Sequence, residues 1–260
     1  MINEIEKAVS SIKRHKPLIL SCTNYVTMDF MANSLLAVGA APVMSIYDWE
    51  LEELVRISSA ININIGTLDD QFIKRCERLA MLGKKHKKPI ILDPVGAGAT
   101  LARTKIAQDL LCYVDIVRGN ASEIMSLVNS KNKTFGVESV NTMEEAKKEA
   151  CMLAEEHGIT VVVSGERDFI TDTSQNQIIT FGSHLMPLIT GMGCALTAII
   201  AAFRAVVPDS FEASCLATSY FGLCGNLAEK ITDKPGSFRT AFIDELYSGN
   251  FKEMSKFYAQ

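Results

Sequence analysis

Cys194 lies where a glycine-rich turn meets a long apolar run, within residues 188–203, "LITGMGCALTAIIAAF". The pattern predicts a helix that begins just after Gly191 and Gly193, with Cys194 in its first turn. Exposed amides at a helix N-terminus, approached over glycines, could cradle a phosphate, although such turns are also common in plain packing. The helix dipole is expected to lower the pKa of Cys194. The thiol could therefore be a nucleophile, a weak base or only part of the core.

Two carboxylates and one arginine follow other apolar segments. Asp93 follows "PIIL" and Glu123 follows "VRGNAS", and each could hold a hydrated Mg²⁺, which binds a few carboxylates, waters and phosphate oxygens. Each also has a structural interpretation, because Asp93 can end a strand and Glu123 can begin a helix. Arg118 directly follows "VDIV". A buried arginine there requires an anionic partner, either a phosphate or a neighbouring carboxylate.

The elements that must position these residues alternate between short apolar segments and helical patterns. This alternation predicts an α/β fold with a central, mostly parallel sheet and helices on both faces. A hairpin is expected around residues 174–177, beside the parallel strands. Ligands bind at the carboxyl ends of strands in open α/β sheets, so the polar residues after each segment should converge on one edge. The predicted strands are 17–22, 60–66, 89–96, 114–120 and 159–165.

Four helical patterns are clearest in the second half of the chain. One of them, 141–157, has apolar residues at three- and four-residue spacing, and Thr142 with Glu145 is expected to form a capping box at its start. The predicted helices are 141–157, 191–207, 211–231 and 239–247.

Composition narrows the class of protein. The 260 residues are 48% hydrophobic and 22% charged, which predicts one globular domain over residues 1–260. A formal net charge of −4 argues against a nucleic acid partner. Seven dispersed cysteines and the lack of a secretory pattern predict reduced thiols in the cytoplasm. The apolar run 195–203 is much shorter than the ~20 residues of a membrane span.

The common nucleotide-binding motifs do not occur in the sequence. It contains no GxxxxGK[ST], and no GxGxxG follows the first predicted strand, so neither a P-loop nor the usual dinucleotide turn is expected. A phosphate would need another cradle, such as "TGMGC".

Six separated stretches carry a resemblance to a known family. They are "CTNYVTMDFMANSLLAVGAAPVMS", "ININIGTL", "ILDPVGAGATLART", "VRGNASEI", "VVVSGERDFI" and "TGMGCALTAIIAAF". Together, and in this order, they resemble the hydroxyethylthiazole kinases of thiamine salvage, which are ribokinase-like enzymes. The resemblance implies a ribokinase-like fold and ATP-dependent phosphorylation of the primary alcohol of 4-methyl-5-(2-hydroxyethyl)thiazole. It also implies Mg²⁺ and a homotrimer with active sites between subunits.

The resemblance also implies roles for residues on the nucleotide side of the site. Arg118 and Ser164 would contact ATP. Asn120 and Glu123 match the Asn-x-x-Glu element of the wider family, so Glu123 would organise Mg²⁺ and phosphate with the help of Asp93. Ser164 stands where threonine is common, and it keeps the hydroxyl.

On the acceptor side, the resemblance implies a thiazole site lined by Asn24, Val26, Met44 and Gly191, partly from a neighbouring subunit. Cys194 stands where related sugar and pyrimidine kinases carry an aspartate base. It would orient the alcohol, because phosphoryl transfer depends mostly on positioning and charge neutralisation.

The backbone amides from Gly191 to Cys194, including that of Gly193, would stabilise charge on the transferred phosphoryl group. Met192 between the two glycines departs from the threonine or alanine expected there, but it contributes only backbone.

Three alternatives stay open at this point. A related kinase could act on hydroxymethylpyrimidine, although Cys194 in place of aspartate argues against it. A hydrolase or acyltransferase could use Cys194 as its nucleophile. A thiazole-binding module could have kept the fold without the reaction, although it would not need Asp93, Arg118 and Glu123.

Overall fold

One sheet organises the part of the chain that the structure describes. The computed structural model describes residues 1–128 and 143–258. Its strands are β1 (Leu18–Cys22), β2 (Ala41–Val43), β3 (Ala60–Asn64), β4 (Ile90–Asp93), β5 (Ile116–Asn120), β6 (Thr160–Ser164), β7 (Asp168–Thr171) and β8 (Asn176–Ile179). They form one eight-stranded sheet in the order β2-β1-β3-β4-β5-β6-β7-β8.

The first six strands of this order are parallel, and β7 and β8 form an antiparallel hairpin at one edge. All five predicted strands and the hairpin are confirmed. The edge strand β2 was not predicted, because three residues are too few to show a pattern. In the sheet register, Ser21 lies opposite Asn62, and Asn64 lies opposite Asp93.

Helices cover both faces of the sheet. They are α1 (Ile2–His15), α2 (Met28–Val38), α3 (Leu51–Ile57), α4 (Asp70–Lys85), α5 (Leu101–Leu110), α6 (Ala121–Leu127), α7 (Met143–His157), α8 (Met192–Arg204), α9 (Ser210–Ile231), α10 (Pro235–Ser248) and α11 (Phe251–Tyr258). Single 3₁₀ turns occupy Leu111–Tyr113 and Met186–Leu188.

One predicted helix has a different start, and the predicted start of another lies outside the described residues. Helix α10 begins at Pro235 rather than at residue 239, because proline fits the first turn of a helix, where its missing N–H costs nothing. The expected cap Thr142 of α7 lies outside the described residues. The predicted helices 191–207 and 211–231 are confirmed as α8 and α9.

Alternation along the strands divides the apolar core into two layers. In β3, Ala60 joins the layer formed with α1, α2 and α8–α11, whereas Ile61 and Ile63 join the layer formed with α3–α7. Helix α8 is buried on nearly every side and contacts β1, β3 and β4. Its N-terminus therefore meets the carboxyl ends of the central strands. Within the described ranges, we find no helix long and apolar enough to span a bilayer.

Candidate active site

Most predicted site residues lie at the carboxyl edge of the parallel strands, as the fold requires. Asn24 follows β1, Asp93 ends β4, and Ser164 ends β6, while Arg118 lies inside β5. Cys194 lies in the first turn of α8, which begins above these strand ends. Chain segments separated by more than 100 residues therefore meet at one place.

The start of α8 has the geometry expected of an anion cradle. Gly191 is the N-cap, with a left-handed φ of 90°, and none of the described side chains caps the helix. A Cβ on Gly191 would lie 2.8 Å from Cγ2 of Thr27, so both backbone conformation and space require glycine. The first-turn amides can face an anion, as the sequence predicted.

Arg118 lies across this helix start. A Cβ on Gly193 would lie 2.5 to 3.0 Å from the guanidinium atoms of Arg118, so the glycine makes room for the arginine. Nη2 of Arg118 donates to Oγ of Ser164. Nη1 is 3.8 Å from Oδ2 of Asp93, and Nε has no hydrogen-bond partner in the described part of the chain. The sequence analysis left open which anion is the partner of Arg118, and the structure places the carboxylate of Asp93 beside it. At this distance the arginine keeps donors for a second anion.

Asp93 is completely buried. Its Oδ2 accepts hydrogen bonds from Nδ2 of Asn64 at 2.7 Å and from Oγ1 of Thr197 at 2.9 Å, whereas Oδ1 has no partner within residues 1–128 and 143–258. Burial raises the pKa of Asp93 to about 6, although the attraction of Arg118 opposes the shift. An unpartnered carboxylate oxygen in a buried site is costly, so this oxygen is available for a ligand.

Hydrogen bonds connect Asp93 with Cys194. The Nδ2 group of Asn24 donates to Oδ1 of Asn64 at 2.8 Å, and it also lies 3.6 Å from Sγ of Cys194. Oδ1 of Asn24 accepts the backbone N–H of Thr27 at 3.0 Å. The cysteine and the aspartate are thus joined through two asparagines.

The sequence analysis did not identify Asn64 or Thr197. The signals were present: Asn62 and Asn64 repeat with period two in the buried segment "ININIG", and Thr197 lies one helical turn after Cys194. An amide in a buried strand requires a polar partner, and that requirement marks Asn64.

Asn120 and Glu123 form a capping box at the start of α6. The N–H of Glu123 donates to Oδ1 of Asn120 at 2.9 Å, and Oε2 of Glu123 accepts the N–H of Asn120 at 2.8 Å. Oε1 of Glu123 accepts the N–H of Gly96 at 2.8 Å, which holds the loop after β4. The structural interpretation of Glu123 is therefore confirmed. A carboxylate has about four acceptor positions, so two remain.

The expected effect of the helix start on Cys194 is wrong. Burial raises the pKa of the Cys194 thiol, the negative charge of Asp93 raises it further, and the attraction of Arg118 opposes these effects only in part. Desolvation of the charged form outweighs the helix dipole here. Cys194 is a neutral thiol near pH 7, which disfavours a thiolate nucleophile.

Val26 and Met44 lie at the rim of the site rather than in the hydrogen-bonded network. Val26 is 70% exposed, and Met44 is half-buried against the α8 layer of the core. Further large apolar side chains are exposed on the same two loops. We call this set the exposed rim; it comprises Tyr25, Val26, Ile46, Tyr47 and Trp49, and Trp49 is 82% exposed.

A cavity of about 690 Å³ opens on the other side of Arg118. Arg118, Ser164 and Gly193 line its inner end, and the rest of the lining comes from residues 165–168, α8, α9 and the segment after β8. Thr218 lines the cavity, and its buried Oγ1 has no hydrogen-bond partner among the described residues. The volume lies in the range of small-molecule sites. Arg118 and the start of α8 therefore separate this cavity from Asn24 and Cys194.

Comparison of the chain with known proteins identifies its family. The model of the hydroxyethylthiazole kinase family matches residues 9–250. Hydroxyethylthiazole kinase of Chlamydia caviae is 48% identical over 262 residues, with all of both chains covered. Hydroxyethylthiazole kinase of Pyrococcus horikoshii OT3 has a similar structure, with a TM-score of 0.87, 36% identity, and coverage of 94% of this chain and 93% of that one.

A more distant likeness concerns the fold alone. Pyridoxal kinase from Staphylococcus aureus, solved in complex with AMP-PCP, has a TM-score of 0.64 at 15% identity. The match covers 81% of this chain and 88% of that one. The arrangement of the sheet is thus shared with a kinase whose sequence is largely different.

Proposed function

Because this chain belongs to the hydroxyethylthiazole kinase family and is therefore a kinase, we propose that it phosphorylates the primary hydroxyl of 4-methyl-5-(2-hydroxyethyl)thiazole for thiamine salvage, with ATP as the donor. Its fold is ribokinase-like, as the sequence predicted. The observation that carries the proposal is the position of Arg118. Its guanidinium lies against Gly193 at the start of α8, between a large cavity and Cys194.

The cavity is the proposed nucleotide site. ATP would place its triphosphate at the inner end, where Arg118, Ser164 and Gly193 lie, with Asn120 close by at the end of β5. The arginine fork and the amides at the start of α8 would neutralise the charge that spreads over the transferred phosphoryl group. This charge neutralisation is the main catalytic requirement of phosphoryl transfer.

The thiazole would bind on the side of Asn24 and Gly191, with Val26 and Met44 as apolar walls. The neutral thiol of Cys194, which receives a hydrogen bond from Asn24, would orient the alcohol oxygen toward the phosphorus. In the transfer, the alcohol oxygen forms a bond to the phosphorus, the bond to the leaving ADP breaks, and the hydroxyl proton is released. A loose transition state makes late removal of that proton sufficient.

Asp93 and Glu123 would hold Mg²⁺. Among residues 1–128 and 143–258 no group of three or more candidate ligands is assembled, so the ion would take two carboxylates, waters and phosphate oxygens, which is a typical set for magnesium. The unpartnered Oδ1 of Asp93 and the remaining acceptor positions of Glu123 fit this set. When bound, the ion would neutralise charge on the phosphate oxygens.

A homotrimer with sites between subunits would explain the exposed rim. Its five apolar side chains lie on the loops that carry the proposed thiazole residues Val26 and Met44. Large exposed apolar side chains, where they form a patch, are typical of interfaces. A neighbouring subunit on the rim would bury Trp49 and close the acceptor site from water.

The chain would act as one domain, and its location would be the cytoplasm. A single sheet carries both core layers, which supports one folding unit over residues 1–260. All seven cysteines are free, which is typical of reducing compartments.

ADP release from Mg-ATP tests the function. Parallel reactions would contain hydroxyethylthiazole, hydroxymethylpyrimidine or no acceptor, and we expect turnover with the thiazole alone. Turnover with the pyrimidine alone would keep the reaction class and overturn the substrate. Release that is equal in all three reactions, or absent from all, would contradict the proposed kinase reaction.

The variant Cys194→Ser tests the role of the thiol. We expect kcat to fall about 10-fold, without loss of ATP binding, because serine can still orient the alcohol through a hydrogen bond and general-base help is worth at least 10²-fold. Steady-state kinetics with both substrates measure the effect. Cys112→Ser, at an exposed cysteine, is the control. Complete loss of turnover with intact binding would instead make Cys194 an essential base.

A further inference from the structure

Asn64 connects the two halves of the site through its side chain. It is completely buried at the end of β3. Its Oδ1 accepts from Nδ2 of Asn24 at 2.8 Å and from the N–H of Gly66 at 3.0 Å, and its Nδ2 donates to Oδ2 of Asp93 at 2.7 Å. The Asn64 amide therefore contacts both Asn24, on the proposed thiazole side, and Asp93, on the proposed phosphate side.

The surrounding bonds leave Asn64 one orientation. Exchange of its amide oxygen and nitrogen would point an N–H₂ at the donors of Asn24 and Gly66 and an oxygen at Asp93. Asn24 is fixed in turn, because its Oδ1 accepts the N–H of Thr27. The order of donors therefore runs in one direction, from Asn24 through Asn64 to Asp93.

We propose that Asn64 is a positioning residue that holds the Asn24 amide and the Asp93 carboxylate in fixed register, so that the alcohol and the phosphoryl group meet in line. This inference rests on the proposed function. In this role Asn64 acts through Asn24 and Asp93, the two side chains that it binds. Small displacements of reacting groups slow such transfers strongly.

The same strand offers a matched control. Asn62 lies two residues earlier in β3, on the same face, and is also completely buried. Neither polar atom of its side chain has a hydrogen-bond partner among the residues that the structure describes. Substitution of Asn62 removes a buried amide of equal size without breaking a hydrogen bond of the site.

Steady-state kinetics of Asn64→Ala, Asn64→Asp and Asn62→Ala test the inference. For Asn64→Ala we expect a kcat on the order of 10-fold lower and an acceptor KM on the order of 10-fold higher, with the ATP KM within about twofold of wild type. For Asn62→Ala we expect all constants within about twofold of wild type.

Asn64→Asp distinguishes the contact with Asn24 from the contact with Asp93. It also replaces Asn64→Ala as the test if the alanine variant does not fold. It keeps an oxygen for Asn24 and Gly66 but places a second carboxylate against Asp93. We expect the acceptor KM to stay within about twofold of wild type while kcat falls on the order of 10-fold. Wild-type kinetic constants in a folded Asn64 variant, or equal losses in Asn64→Ala and Asn62→Ala, would overturn the inference alone. An inactive wild type would overturn the proposed function and the inference with it.

Discussion

Asp93→Asn should lower kcat by about 10²- to 10³-fold and at the same time stabilise the folded protein at alkaline pH. The loss of activity follows because the variant removes the buried charge that would hold Mg²⁺ beside Glu123. The amide that the substitution introduces keeps one oxygen, which can still accept the hydrogen bonds from Asn64 and Thr197. Activity should therefore fall without unfolding.

The stability effect has a definite sign. The pKa of Asp93 is about 6 in the folded protein and 3.8 in its ordinary state. The folded state therefore favours the neutral acid. The free energy of unfolding falls as pH rises from 3.8 to about 6, and ionisation of Asp93 lowers it little further above that range. At 1.36 kcal/mol per pKa unit, the full cost at pH 8 is about 3 kcal/mol.

Urea unfolding of wild type and Asp93→Asn at pH 4.5 and pH 8 measures this cost. The free energy of unfolding of the variant, relative to wild type, should rise by about 2 kcal/mol between the two pH values. Asp115→Asn, directly before β5, is the control for activity, because the only described hydrogen bond of the Asp115 carboxylate is the one it accepts from the N–H of Ile90. If the difference in unfolding free energy between Asp93→Asn and wild type does not change with pH, the claim that Asp93 is a buried charge is contradicted.

Arg118→Met should lower kcat/KM by about 10²- to 10³-fold, the cost of removing a main charge-stabilising donor from the transition state. Arg118→Lys should recover little, because an ammonium group lacks the planar fork that can reach Ser164 and a phosphate together. The measurement is kcat/KM for ATP at saturating thiazole. Arg56→Met, at an exposed arginine on α3, controls for loss of one positive charge.

Gly193→Ala provides a second test of the same arginine. The new Cβ would lie 2.5 Å from Nη1 of Arg118, which is the far end of a flexible side chain, so the arginine should move while the fold persists. We expect kcat/KM to fall in Gly193→Ala as well, but by less than in Arg118→Met. Full activity in Gly193→Ala would mean that the observed position of Arg118 is not required.

The sequence predicted the sheet well because its central strands are buried on both faces. Segments such as "PIILD" and "ITVVVS" are short apolar runs rich in β-branched residues, and each ends in polar residues. The short strand β2 has no such signal, because its pairing with β1 depends on contacts distant in sequence.

The candidate site was predicted less completely than the fold. Position along the chain was enough to place Arg118, Asp93 and Cys194 at one edge of the sheet. The pKa of Cys194 was predicted in the wrong direction, because desolvation by α2, β3 and α8 depends on packing that the sequence does not state. The role of Asn64 was missed because its partners Asn24 and Asp93 lie 40 and 29 residues away.

The late position of α8 in the chain has a consequence for synthesis on the ribosome. One apolar layer of the sheet is covered mainly by α8, α9 and α10, which follow every strand. At 5–20 residues per second, these helices emerge on the order of 10 seconds after β5 and β6 are complete. During that interval the nascent chain exposes a wide hydrophobic surface, which is prone to aggregation and is the kind of surface that chaperones bind.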